Sequence, residues 1–221
     1  MSFDTLAPHY RWLEFVLAGE KLQRCRTAFL DRITARNILI AGEGNGRFLA
    51  ECRSRLPTAR ITVVDFSARM LEIARQRLLR SGAETDGIEF VHANLLTWRP
   101  EERAYDLIVT QFFFDCFPAG QLRQVVASLA SAATPGAAWL LADFQMPDAG
   151  LRRYRAQLVH ALMYTFFRVM TQLPARRLVE PDGFLAAHDF AVQERRTDDW
   201  DLLRTDLWKR RQVVPGLADS P

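Results

Sequence analysis

Residues 37–52 read NILIAGEGNGRFLAEC: an apolar run, then Gly42, Gly44 and Gly46 within five positions, then a helical pattern. An apolar run followed by such a turn and a helix predicts strand, turn, helix. Glycines there let a ligand approach the backbone and aim the helix's N-terminal N–H groups at it. The spacing decides which ligand. A dinucleotide pyrophosphate calls for GxGxxG, but here the sixth position is Arg47 and the pattern is GxGxG. No GK[ST] follows, which excludes a nucleoside-triphosphate loop. Three glycines in five residues would weaken an unfilled turn through backbone entropy, so a ligand is expected.

Outward from the turn, strand-like and helix-like segments alternate, the pattern of a parallel sheet covered by helices. Residues 9–33 read as one or two helices. The expected strands are 37–41, 59–66, 88–93, 105–113 and 137–144, closed by 188–197 and 201–211 as a hairpin around Asp198–Asp201. A helix over 46–56 is stopped by Pro57, and one from an N-cap at Ser67 ends near Gly82. A further helix follows Pro118 and Gly120.

From about Leu151 to Leu173 a long helix carries apolar residues at 151, 154, 158, 162, 166, 169 and 173, with a second set at 159, 163, 167 and 170. It reads as buried on the sheet with self-association, or as a lid over an apolar ligand or a membrane-docking face.

Composition narrows the partners. The chain has 221 residues, 49% hydrophobic and 25% charged, with a net charge of only +3, too small to imply nucleic acid. Lys21 and Lys209 are the only lysines, and the arginines are scattered. Cys25, Cys52 and Cys116 form no CxxC, and His9, His92, His160 and His188 lack ligand spacing, so neither a disulfide framework nor a metal site is expected. No secretory signal or spanning segment is read, and a cytoplasmic location is expected.

Asp65 ends the second strand, 23 residues after Gly42. An acidic residue there can hold both hydroxyls of a ribose. With the GxGxG turn and the strand order, this resembles the class I S-adenosylmethionine-dependent methyltransferases, across roughly residues 36–145. FDTLAPHYRWLE (3–14) is similar to the N-terminal lid of small-molecule members, including the ubiquinone/menaquinone-biosynthesis type. The resemblance implies an α/β fold with a Rossmann-like, seven-stranded, mostly parallel sheet, helices on both faces and an antiparallel C-terminal hairpin. It also implies one domain over 1–221: a helical lid (1–35), a cofactor core (36–145), an acceptor-side helix with terminal strands (146–213) and a loose tail (214–221).

The same resemblance implies S-adenosyl-L-methionine as cofactor. Gly42, Gly44 and Gly46 would cradle its methionine part and ribose, Asp65 the ribose hydroxyls, and Phe66 and Met70 would lie near adenine. Asn94 and Leu95 would meet the adenine edge, with Asn94 standing where the family usually has Asp. Gln111, Phe112 and Tyr10 would lie near the methionine end. Ile40 stands where an acidic residue often helps bind the ammonium, and Glu43 either replaces it or faces solvent.

In-line methyl transfer needs alignment first, and a base only if the acceptor must lose a proton. Candidates for catalysis or acceptor contact are Asp115, His160 and Tyr10, with His9, Trp12, Asp143 and Tyr164 nearby; Asp115 reads equally as a helix N-cap. The expected activity is methyl transfer to a small organic acceptor. TQFFFD (110–115) lacks the [DNS]PP[YFW] motif of amino-methylating nucleic-acid enzymes. A nucleic-acid or protein methyltransferase, a non-catalytic cofactor-binding regulator, peripheral membrane contact and a homodimer remain alternatives.

Overall fold

The computed structural model describes residues 19–171, 175 and 177–212. Helices α1 (Gly19–Thr27), α2 (Arg47–Arg55), α3 (Ala68–Arg80), α4 (Ala119–Ala132), α5 (Gly150–Thr171) and α6 (Asp182–Ala186) surround seven strands. These are β1 (Asn37–Ala41), β2 (Arg60–Asp65), β3 (Ile88–His92), β4 (Tyr105–Gln111), β5 (Ala133–Phe144), β6 (Phe190–Asp198) and β7 (Leu203–Arg210). They form one sheet in the order β3-β2-β1-β4-β5-β7-β6, parallel except where β7 pairs with β5 and β6. The seven-stranded sheet expected from the sequence is observed.

Alternation along the strands builds two cores, one per face. Leu39, Val64, Ile108, Trp139 and Leu141 pack against Leu122, Val125, Val126 and Leu129 of α4. Ile38, Ile40, Ile61, Val63, Leu107 and Leu140 face the other way, against Phe48, Leu49 and Cys52 of α2 and Leu71, Ala74 and Leu78 of α3. Ser67 caps α3 as expected, accepting from Met70 N–H at 3.2 Å.

The order reverses at β1, with β2 on one side and β4 on the other. That is the switch point where parallel α/β sheets open a crevice at the strands' carboxyl ends. A third apolar cluster lies at that end: Leu22 and Cys25 of α1, Ala142 and Phe144 of β5, Ala156, Met163 and Tyr164 of α5, and Leu202 and Leu203 at the start of β7.

Two expectations are corrected. β5 begins at Ala133, not 137, because Pro135 and Gly136 (φ 73°) are absorbed by a register shift opposite Tyr105 and Leu107 instead of forming a turn. On α5, Leu151, Tyr154, Leu158 and Leu162 are exposed, while Ala156, His160, Met163 and Tyr164 are buried. At roughly 100° per residue those two sets lie on opposite sides of the helix. The first apolar set of the sequence pattern faces outward, and Val159 and Met163 of the second lie against the third cluster. Side chains at 166–171, and the expected helix end near Leu173, fall outside what the structure describes. Among the described residues no helix is long and apolar enough to cross a membrane.

Candidate functional site

All three glycines of the turn are left-handed, with φ of 72°, 66° and 81° at Gly42, Gly44 and Gly46, a conformation costly for any other residue. Their surroundings differ. A Cβ on Gly42 would run into the Phe113 ring, and one on Gly46 would lie 2.5 Å from Ala74 Cα in α3. Of the three, Gly44 alone opens onto space, with nothing among the described residues within 4 Å. Two glycines therefore admit the protein's own packing, and one faces a vacant approach.

Asp65 ties the turn to the end of β2. Its Oδ2 accepts from Gly44 N–H at 3.0 Å and its Oδ1 from Ser67 N–H at 2.9 Å. Burial raises its pKa above the ordinary carboxylate value, and the Ser67 and Gly44 N–H groups pull it back. Each oxygen keeps a lone-pair direction for a further donor. Beside it the Phe66 ring is 42% exposed. Met70 and Leu95 are buried, Leu95 in the α4-side core. Asn94 is exposed after β3, and its Oδ1 accepts from Leu96 N–H at 3.0 Å.

Glu43 is half-buried, with its carboxylate turned onto the start of α2. Its Oε1 accepts from Phe48 N–H at 3.1 Å and Leu49 N–H at 3.0 Å. Gly46, the N-cap residue of α2, has no side chain to satisfy those orphan donors, and Glu43 reaches forward to do so. Burial pushes its pKa from 4.5 up to about 7, opposed by the Leu49 N–H and by Arg26.

At the end of β4 the chain turns through Phe112 at a left-handed φ of 51°, and the three phenylalanines separate. Phe112 packs edge-on against Phe144 at 5.3 Å between centroids, Phe113 fills the space over Gly42, and Phe114 joins the core beside Trp139. Gln111 donates from Nε2 to Arg26 O at 2.8 Å, and the Arg26 guanidinium lies 5.2 Å from the centre of the Phe112 ring. Arg26 is thus a buried cation at the crevice that the sequence did not single out among scattered arginines.

Asp115 is not a helix N-cap: it lies in a 3-10 turn, and Pro118 precedes α4 without a side-chain cap. It is buried near Asp143, whose Oδ2 accepts from Phe114 N–H at 3.2 Å and Oδ1 from Phe144 N–H at 2.8 Å. Burial lifts Asp115 to about 6, and burial and then the Asp115 charge lift Asp143 well above the ordinary value. Tyr164 donates from its hydroxyl to Asp115 O at 3.2 Å, and His160 packs against Phe144 and Tyr164. The structure therefore gathers Asp115, Asp143, His160 and Tyr164 at the carboxyl ends of β4 and β5. His9, Tyr10 and Trp12 lie outside the described residues.

Residues 38–136 match the family model described as methyltransferase domain. The chain is 29% identical over 152 residues to a demethylmenaquinone methyltransferase of Deinococcus radiodurans, covering 67% of this chain and 61% of that protein. Among solved structures, an O-methyltransferase family protein of Burkholderia thailandensis superposes with a TM-score of 0.71 at 16% identity, covering 94% of this chain and 60% of the other. The N-methyltransferase NodS of Bradyrhizobium japonicum, in complex with S-adenosylhomocysteine, gives 0.58 at 17% identity, covering 86% and 84%. The chain thus spans about three fifths of the length of the first two.

Proposed function

We propose that this chain, whose residues 38–136 match a methyltransferase-domain model, is a class I S-adenosylmethionine-dependent methyltransferase that transfers a methyl group from S-adenosylmethionine to a small organic acceptor. The observation that carries the reading is the Asp65 carboxylate, half-buried at the switch point and bridging the Gly44 and Ser67 N–H groups. The residues fit the cofactor. Gly44 offers open backbone, Asp65 has lone pairs for two ribose hydroxyls, and the exposed Phe66 ring can cover adenine. Asn94 keeps an amide for the adenine edge. Gln111, Phe112, Arg26 and Glu43 surround the place for the amino-acid end, with Arg26 suited to a carboxylate and Glu43 to an ammonium.

Bound there, S-adenosylmethionine supplies an electrophilic methyl group on a sulfonium. The protein's part is alignment and exclusion of water. Asp65 and the turn fix the ribose, and the third apolar cluster shelters the acceptor side. A small acceptor is supported by that apolar, aromatic lining; the net charge of +3 gives no electrostatic footprint for nucleic acid. We place the activity in the cytoplasm and in a single domain.

Isothermal titration calorimetry tests the cofactor assignment. Wild type is expected to bind S-adenosylmethionine and S-adenosylhomocysteine, and Asp65→Ala to lose about 2 kcal/mol or more of that affinity, the scale of hydrogen bonds to a charged group. Unchanged affinity in Asp65→Ala would remove the ribose role.

A further inference from the structure

His92 closes β3 beside Asp65 of β2, its register partner. Its Nε2 lies 2.9 Å from Phe66 O. A carbonyl only accepts, so Nε2 carries the proton and donates. In the neutral ring Nδ1 is then an acceptor, and it meets no hydrogen-bond partner among the described residues.

Asn94, two residues on, is fixed the other way. Its Oδ1 takes the Leu96 N–H, which sets the orientation of the amide and leaves the Nδ2 N–H groups to give. Both residues are exposed, and the residue that His92 holds is the one whose ring lies 42% open beside Asp65. The end of β3 therefore presents one acceptor and one donor next to an open aromatic face and a carboxylate.

Resting on the cofactor reading above, we propose that His92 determines specificity for the cofactor's base: its Nδ1 accepts from the exocyclic amino group of a 6-aminopurine, while Asn94 Nδ2 donates to the neighbouring ring nitrogen. Adenine places an amino donor next to a ring-nitrogen acceptor, the complement of that pair. A 6-oxopurine puts a carbonyl where the amino group was, so an acceptor faces an acceptor. The Asn94 oxygen is already engaged by Leu96 N–H, and Asp65 is assigned to the ribose, which leaves His92 Nδ1 as the acceptor without another bond at this edge. The sequence passed over His92 because a lone histidine without ligand spacing carries no signal. Strand register places it, and the Phe66 carbonyl fixes its tautomer.

The test is calorimetry on the full chain with S-adenosylhomocysteine and its deaminated counterpart, S-inosylhomocysteine, in mildly alkaline buffer, where an imidazole is neutral. Wild type should bind the 6-amino ligand about tenfold or more tighter than the 6-oxo one, the scale of one hydrogen bond at an exposed edge. His92→Leu should bring that ratio close to one. His92→Gln, which offers a donor for Phe66 O and an acceptor for the amino group, should keep it. A side chain that only braced Phe66 would weaken both ligands alike and leave the ratio unmoved. A ratio unchanged in His92→Leu, or lost as fully in His92→Gln as in His92→Leu, would overturn the proposal. Failure of wild type to bind S-adenosylhomocysteine would sink the methyl-transfer reading and this proposal with it, whereas binding with an unmoved ratio would sink the role of His92 alone.

Discussion

Glu43 shows how one side chain can serve the fold while standing in the site. Its Oε1 caps α2, and burial raises its pKa from 4.5 to about 7. A folded pKa above the unfolded one means the folded chain holds the extra proton between those values. That stabilisation is full below about pH 4.5 and is lost as the pH rises through about 7. Asp65 and Asp115 are shifted the same way, so the wild-type curve alone does not isolate Glu43. Glu43→Gln keeps a capping oxygen and has no proton to lose. The difference between the two Tm curves should slope across that window and flatten above it; a flat difference throughout would refute the raised pKa. The same variant should weaken intact S-adenosylmethionine more than adenosine in calorimetry. Equal losses would remove Glu43 from the methionine end.

The glycine turn and α5 show why elements are only half legible in sequence. The pattern GxGxG announces a ligand turn, but it does not say which glycine serves which purpose. Gly46→Ala places a Cβ 2.5 Å from the α3 backbone at a φ of 81°, and should cost about 1–3 kcal/mol in urea unfolding, as overpacking does. Gly44→Ala meets open space, and should cost only about 1 kcal/mol of backbone strain while weakening cofactor binding more than it weakens the fold. If Gly44→Ala bound the cofactor as wild type does, the open approach at Gly44 would not be the ligand's path. On α5 the sequence offers two apolar sets; the structure leaves 151, 154, 158 and 162 exposed and turns Met163 and Val159 of the second set toward the third cluster. The buried side contains His160 and Ala156, residues that a hydrophobic count underweights.

Across the whole molecule, the β6–β7 hairpin completes the sheet and anchors the segment before it through buried charge. Arg204, 2% exposed, pairs with Asp182 at 2.7 Å and Glu180 at 3.0 Å, and Arg195 holds the fully buried Asp206 at 2.7 Å. Removing one partner of such a network leaves buried charge uncompensated. Arg204→Met should lower unfolding stability by about 3 kcal/mol, read as a drop in urea midpoint with unchanged slope. A change below about 0.5 kcal/mol would mean that the network is screened by solvent.

The α/β class, the strands and the turn with Asp65 were determined by the sequence, because apolar alternation, glycine spacing and strand-end position are local properties of the chain. The terminal hairpin was legible for the same reason: residues 199–201 all take positive φ where an Asp-rich break interrupts two alternating runs. Arg26, the separate destinations of Phe112, Phe113 and Phe114, and which of the two apolar sets of α5 turns inward were decided by tertiary structure alone. Each depends on what a distant element presents across the crevice, and burial, desolvation and steric exclusion arise only when those elements meet.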